Sequence, residues 1–392
     1  MKPHIPAADP VPDAGFETLC VHYGEDAATR CGAAAPPIYQ TSTFLYPDAD
    51  AFSRRKRDGT PHYDYTRGGN PTTSVLEAKL ARLEHGAWAE CFASGMGAIS
   101  AAVNICVEAG SHVVSIANVY APTRWYLQHL RRFGVETTFV AGGATEDFVA
   151  ALRPETKLLY LESPTTGYFE LLDVPALAQA ARARGVLTIF DNSWATPYFQ
   201  CPLEFGVDLV AHSATKYIGG HSDVVAGAIV GRDADLRKRL LRETELCGAT
   251  MDPFAAWLLL RGLRTLSLRM DRHQSSALAI ARMLAEHPRV EAVHHPGLED
   301  HPGHARALRQ MRGCAGLFSF SPLEQSKDAT HGFLDRLKLF QHGVSWGGHE
   351  SLAIGGTFFG TDRDKPHWLI RLHVGLESPA DLLADVRQAL EA

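Results

Sequence analysis

The sequence predicts an α/β protein with a large, mostly parallel sheet covered by helices and a smaller C-terminal α+β domain. Three observations carry this. From about Arg67 to Gly231, short runs rich in Val, Ile and Leu alternate with capped, Ala-rich helical stretches, the pattern of strands buried on both faces and joined by crossover helices. The chain has 392 residues, room for two or three cores at roughly 150 residues each. After Asp252-Pro253 the pattern changes to a long helical stretch followed by sparser strands.

Asn70-Pro71 opens the first helix of the large domain. Asn is a good cap, and a proline in the first turn loses no helical hydrogen bond. Leu76, Leu80 and Leu83 mark the buried face of this helix, and Gly86 ends it. A run over Ala89–Ala93 reaches Ser94-Gly95-Met96-Gly97, from which an apolar helix heads toward Gly110. Further strands are expected at His112–Ala117, Leu158–Glu162, Val186–Phe190 and Val207–His212, with a helix over Pro175–Gly185. Beyond Pro253 the spacing of Trp257, Leu260, Leu263, Leu266 and Leu268 predicts one long helix running toward Pro288, a spine between two domains. Strands at Leu317–Phe320 and Leu369–Val374, a helix near Phe333–Phe340 and a closing helix from Pro379 make up the small domain. The expected division is an N-terminal arm over 1–66, a large domain over 67–253, and a linker helix with the small domain over 254–392.

Composition narrows the functional classes. The net charge is −6, which offers no broad positive field for nucleic acid or an anionic membrane surface. The basic run Arg54-Arg55-Lys56-Arg57 precedes Asp58-Gly59 and reads as a solvated loop. Seven cysteines are scattered without a C-x-x-C pair, so neither a disulfide framework nor a zinc ribbon is signalled, and a reducing, cytoplasmic setting fits. Met1–Gly15 lacks a basic and an apolar signal region and reads as a flexible arm. The longest apolar stretch, around Ala93–Val107, is interrupted by Asn104 and falls short of a membrane span. His294, His295, His301 and His304 lie among Pro and Gly without a metal-binding motif; a solvent-facing loop is expected, and no metal.

The sharpest local feature is Ser213-Ala214-Thr215-Lys216-Tyr217 at the exit of an expected strand, followed by Gly219-Gly220. Most lysines are surface residues, but one held in a pocket at a strand exit has its pKa lowered and becomes a nucleophilic amine. Asp191 closes another strand 25 residues upstream. It could be a helix cap. In a parallel sheet, however, strand ends share one edge and ligands bind beyond it, so both residues face one cleft. A lysine and a carboxylate there meet the needs of pyridoxal phosphate, the amine forming the imine and the acid holding the ring nitrogen protonated. Ser94-Gly95-Met96-Gly97 offers free amides at a helix N-terminus for a phosphate, or an ordinary Ser cap. Ser213 and Thr215 add hydroxyls near the lysine. Tyr65-Thr66-Arg67 could add a phenol and a guanidinium suited to bidentate phosphate contact, and Tyr120 could stack on a planar ring.

These residues resemble a known family. Tyr65-Thr66-Arg67-Gly68-Gly69-Asn70-Pro71-Thr72, Ser94-Gly95-Met96, Glu162-Ser163-Pro164-Thr165, Phe190-Asp191-Asn192, Ser213-Ala214-Thr215-Lys216-Tyr217 and Ser345-Trp346-Gly347-Gly348-His349-Glu350-Ser351 are similar to motifs of the pyridoxal-phosphate-dependent enzymes of Cys/Met metabolism. The order and spacing agree from about Phe16 to the C-terminus. The resemblance implies the aspartate-aminotransferase-like fold (fold type I), in a homotetramer of two active dimers whose sites are completed by a neighbouring subunit through the 1–66 segment. It implies that Lys216 is the Schiff-base lysine and general base, that Asp191 pairs with the pyridine nitrogen and that Tyr120 stacks on the ring. The Gly95 and Met96 amides, Ser213 and Thr215 would bind the phosphate, joined by Tyr65 and Arg67 from the partner chain. Arg371 would hold the substrate carboxylate with help from Ser345.

Within the family, Ser345-Trp346-Gly347-Gly348 with Glu350-Ser351, and His221-Ser222-Asp223, resemble bacterial cystathionine β-lyases, γ-acting members usually having Leu where Trp346 stands. The expected substrate is therefore an amino-acid thioether, with β-elimination of L-cystathionine to homocysteine, pyruvate and ammonia. The alternative is a γ-acting member, whose pattern the Tyr65–Thr72 stretch matches more closely. A remote one is a pyridoxal-phosphate-binding protein without turnover.

Overall fold

A computed structural model describes residues 9–54, 62–358 and 367–391. The larger sheet has seven strands: β1 (Trp88–Phe92), β2 (His112–Ile116), β3 (Glu136–Val140), β4 (Thr156–Glu162), β5 (Leu187–Asp191), β6 (Leu209–His212) and β7 (Gly227–Gly231). Their order is β1-β7-β6-β5-β4-β2-β3. The strands from β6 through β3 run parallel, and β7 lies antiparallel between β6 and β1. Val113, Val114, Leu158, Leu161, Ile189, Phe190, Leu209 and Val210 are fully buried, as strands covered on both faces must be. The register sets Glu162 opposite Asp191 and Asp191 opposite Ala211. The C-terminal ends of β4, β5 and β6 thus form one edge.

Helix caps deliver the chain to that edge. Asn70 accepts the Thr72 amide at 2.9 Å and donates to the Tyr39 carbonyl at 2.8 Å, fixing the start of the Pro71–Leu83 helix. Ser94 accepts the Gly97 amide at 2.9 Å and starts the Gly95–Asn104 helix on the exit of β1. Its small residues let it lie close to the sheet: a Cβ on Gly95 would come within 2.8 Å of Ser213 Oγ.

The second sheet contains β8 (Val290–His294), β9 (Leu317–Pro322), β10 (Gln341–His342), β11 (Leu352–Phe358) and β12 (His367–His373), ordered β10-β11-β12-β9-β8. The Lys327–Arg336 and Pro379–Glu391 helices pack on it, and Phe318, Phe320, Phe333, Leu372, Leu382 and Val386 form its core. Arg371 stands on β12, opposite Ile354 of β11 and Ser319 of β9.

Four expectations need correction. The spine is two helices, Pro253–Leu263 and Leu266–Ala285. The Gly262 carbonyl, near the break, is taken by buried Arg269 at 2.8 Å, which also donates to the Tyr217 carbonyl at 2.7 Å. The helix expected near Phe333–Phe340 lies earlier, at Lys327–Arg336. Ser326 caps its start, and the Asp385 carboxylate takes the Lys338 and Leu339 amides at 2.8 Å each beyond its end. The strand from His112 ends at Ile116, so Tyr120 is the N-cap residue of the Ala121–His129 helix. The histidine-rich segment does not face solvent throughout: His295 and His301 are buried. Their Nδ1 atoms accept the Gly297 and Gly303 amides at 3.0 Å each. Burial pushes His295 down to about 3, so it serves as a neutral turn acceptor. Most of the basic run (Arg55–Arg57) and Met1–Ala8 of the expected arm lie outside the described residues.

Candidate active site

The shared edge of β4, β5 and β6 opens into a cleft of about 660 Å³, open solvent at its mouth included, closed on the far side by the small domain. Lys216, Asp191, Ser213, Tyr120, Trp346 and Arg371, expected from sequence, all line it. Two crossover ends and a loop from the second sheet therefore meet, as ligand sites at sheet edges do.

Lys216 Nζ donates to Ser345 Oγ at 2.8 Å and lies 5.2 Å from the centre of the Trp346 ring. Burial, then the Arg371 guanidinium, lower its pKa to about 8, against a smaller opposing pull from Asp191. About a tenth of this amine is thus unprotonated at pH 7, far more than of an ordinary lysine. The loop that brings Ser345 is pressed against the lysine backbone: Gly347 has φ +84°, and a Cβ there would come within 2.9 Å of Lys216 Cα.

Asp191 accepts the Ser193 amide at 3.0 Å and a long contact from the Tyr160 hydroxyl at 3.5 Å. Burial raises its pKa, and the Ser193 contacts and His212 oppose the rise. Glu162, beside it in register, accepts the Tyr120 amide at 2.8 Å and the Thr166 hydroxyl at 2.6 Å. Burial, then Asp191, push the Glu162 carboxyl up to about 8. Two neighbouring buried acids do not both ionise readily, and the rise of Glu162 to about 8 keeps it protonated near neutrality beside Asp191. Glu162 carried no role in the sequence reading. The strand-end rule that singled out Asp191 applies equally to it, as the last residue of β4.

Arg371 donates to the Val344 carbonyl at 2.7 Å, and burial lowers its pKa to about 10. Tyr120 is partly exposed, and its phenol is raised by burial and then by Asp191 and Glu162. The Gly95 and Met96 amides belong to a first helical turn, whose N–H groups lack intrahelical partners. Thr215 is less free than expected: its hydroxyl donates to the Ala226 carbonyl at 3.1 Å and accepts the Ala226 amide at 2.9 Å. Tyr65 and Arg67 do not reach the cleft within one chain. The Arg67 guanidinium sits 5.1 Å from the Tyr65 ring, and Arg67 lines a separate recess with Glu77, Glu90 and Thr244. Phe169, Trp194 and Leu317, which sequence did not single out, complete the apolar wall.

Pyridoxal 5'-phosphate fits these residues. An amine of lowered pKa and a carboxylate face one cavity, and Gly95 lets a helix N-terminus with free amides approach Ser213 more closely than a Cβ would allow. Together, fold and site define a fold type I enzyme dependent on pyridoxal phosphate. The chain belongs to the Cys/Met metabolism PLP-dependent enzymes, whose family model matches residues 17–391. It is 41% identical over 391 residues to an L-methionine gamma-lyase of Pseudomonas deceptionensis, covering 96% of this chain and 98% of that one. It is 40% identical to a cystathionine gamma-lyase of Bacillus subtilis, covering 96% of this chain and 99% of the relative. The crystal structure of metB from Corynebacterium glutamicum superposes with a TM-score of 0.90 at 36% identity, covering 97% of this chain and 98% of that one. Pyridoxal phosphate is accordingly the cofactor, and sulfur amino-acid metabolism the setting. Among the described residues, no helix is long and apolar enough to cross a membrane.

Proposed function

We propose that the chain is a carbon–sulfur lyase that eliminates the γ-thiol substituent of an L-amino-acid thioether such as L-cystathionine, releasing cysteine, 2-oxobutyrate and ammonia. The observation that carries the lyase reading is Lys216, an amine of pKa about 8 facing Asp191 across the cleft. The γ assignment draws on whole-length similarity to relatives named as methionine gamma-lyase and cystathionine gamma-lyase.

Bound pyridoxal phosphate supplies an electron sink that lets a carbon beside the substrate nitrogen carry negative charge. Lys216 would hold the cofactor covalently and, with its amine free, would take the proton from Cα. A γ-elimination needs a second proton removed at Cβ, and Lys216, tethered to Ser345 by a single hydrogen bond at 2.8 Å, would reach along the substrate for it after handing the first proton to the cofactor's electron sink. Asp191 would hold the proton on the ring nitrogen. Tyr120, at the mouth, would stack on the ring and donate a proton to the departing sulfur. Arg371, with Ser345, holds the substrate carboxylate. The Gly95 and Met96 amides and Ser213 would seat the phosphate, Thr215 joining them only by turning its hydroxyl from the Ala226 carbonyl, and Tyr65 and Arg67 would complete the seat from a neighbouring subunit of a homotetramer.

A second reading, β-elimination to homocysteine and pyruvate, is favoured by one observation: the bulky Trp346 ring occupies the cleft beside Lys216. Incubating the holoenzyme with L-cystathionine and assaying keto acid and thiol together separates them. The γ reading expects 2-oxobutyrate with cysteine. Pyruvate with homocysteine would replace it by the β reading, and no keto acid from any thioether would remove both.

A further inference from the structure

Beneath Lys216 three rings meet in a nearly equilateral triangle. The Tyr217–His273, Tyr217–His373 and His273–His373 ring centres are 5.1, 5.8 and 5.2 Å apart. All three residues are buried. His273 Nε2 and His373 Nδ1 are buried polar atoms without a hydrogen-bond partner among the described residues, while the Tyr217 hydroxyl faces the Gly316 and Leu317 amides. Buried polar atoms are rarely left so, and two such nitrogens on rings 5.2 Å apart suit an enclosed water.

The outer hydrogen bonds of the two imidazoles fix which of the inner atoms donates. His273 Nδ1 lies 2.7 Å from the Val374 carbonyl, which can only accept, so Nδ1 carries the proton and Nε2 is bare. His373 Nε2 lies 3.0 Å from the Gly347 amide and 3.2 Å from the Gly348 carbonyl. The closer Gly347 N–H can only donate. Nε2 therefore accepts, and Nδ1 carries the proton. The two imidazoles thus present one free donor (His373 Nδ1) and one free acceptor (His273 Nε2), the pair that a bridging water satisfies. Burial holds His273 down to about 4 and His373 well below the usual imidazole range, with Arg371 and Lys216 adding to the effect on His373, so both rings stay neutral.

We propose that His373 is a positioning residue: a water bound between it and His273 fixes its tautomer, and its bare Nε2 anchors the Gly347 amide and with it the loop that presents Ser345 and Trp346 to Lys216. The loop depends on this anchor because Gly347 packs on the Lys216 backbone at positive φ. A shift of Gly347 moves Ser345 off the amine. The importance of the loop for turnover rests on the lyase reading above; the water and the anchor do not.

Two substitutions divide the ring's two jobs. His373→Gln places an amide oxygen near the Nε2 position and keeps the anchor, whereas His373→Asn keeps a donor near Nδ1 and loses the anchor. In apo protein, hydrogen exchange at Gly347 is expected to quicken about tenfold in His373→Asn, the value of one backbone hydrogen bond, and to stay near wild type in His373→Gln. In the holoenzyme, kcat falls in His373→Asn with KM nearly unchanged, and His373→Gln restores it. Equal exchange in the two variants overturns the anchor whether or not the chain is a lyase. A high-resolution crystal structure of the wild type with no water joining His373 Nδ1 to His273 Nε2 overturns the triangle as a water site.

Discussion

At the scale of single residues, the site is organised by which groups lose water. Lys216 has a lowered pKa because burial and Arg371 outweigh the attraction of Asp191. A lowered amine pKa means that the neutral form persists to lower pH. Acylation of Lys216 in apo protein, followed by peptide mass, is therefore expected to reach half its maximal rate near pH 8, and Arg371→Leu moves that midpoint upward. Glu162 works in the opposite sense. Its carboxyl is raised from 4.5 to about 8, so between those values the folded chain holds a proton that the unfolded chain releases. By linkage its contribution to stability falls as pH rises through that window. Glu162→Gln removes the proton uptake, and the melting temperature of the variant should decline less between pH 5 and 8 than that of the wild type. An unchanged slope would place the titration elsewhere.

At the scale of elements, sequence revealed what local chemistry dictates. The Asn70-Pro71 start, the Ser94 cap and the apolar strands β2, β4, β5 and β6 carry their signals in a few consecutive residues, and Asp191 and Lys216 follow from strand-end logic. Five strands escaped, two of them β8, which is only partly buried, and the two-residue β10. Strand β3 is polar and partly exposed, β7 is a five-residue Gly-bounded run that reads as part of the glycine loop before it, and β11 contains Gly355-Gly356, which hides its alternation. The leucine spacing from Trp257 to Leu268 is continuous, so nothing local announced the break that Arg269 stabilises. Glu162 was legible, and its partners were not, because Tyr120 and Thr166 reach it through folding. The contact between the Gly95–Asn104 helix and β6 yields a prediction of its own. Gly95→Ala forces its Cβ to within 2.8 Å of Ser213 Oγ and pushes apart the two walls of the proposed phosphate seat. Equilibrium dialysis of apo protein is expected to show pyridoxal phosphate affinity lower by at least about tenfold, the scale of one charge-assisted hydrogen bond, with circular dichroism unchanged.

At the scale of the whole molecule, Tyr65 and Arg67 stand away from the Lys216 cleft within one chain. If a second copy supplies them, inactive subunits complement one another. Lys216→Ala and Arg67→Ala proteins, each inactive alone, are expected to regain part of the lyase rate when unfolded together and co-refolded, since some mixed dimers then contain one intact site. Activity that stays at the level of the separate variants would confine each site to one chain.

All of these roles presuppose that Lys216 carries the cofactor opposite Asp191. Reducing the holoenzyme with borohydride and mapping its peptides tests that directly. The phosphopyridoxyl mass is expected on the peptide containing Lys216, and on no other lysine, and Asp191→Asn is expected to weaken cofactor retention. Label on a different lysine, or a reduced protein without label, would contradict the account.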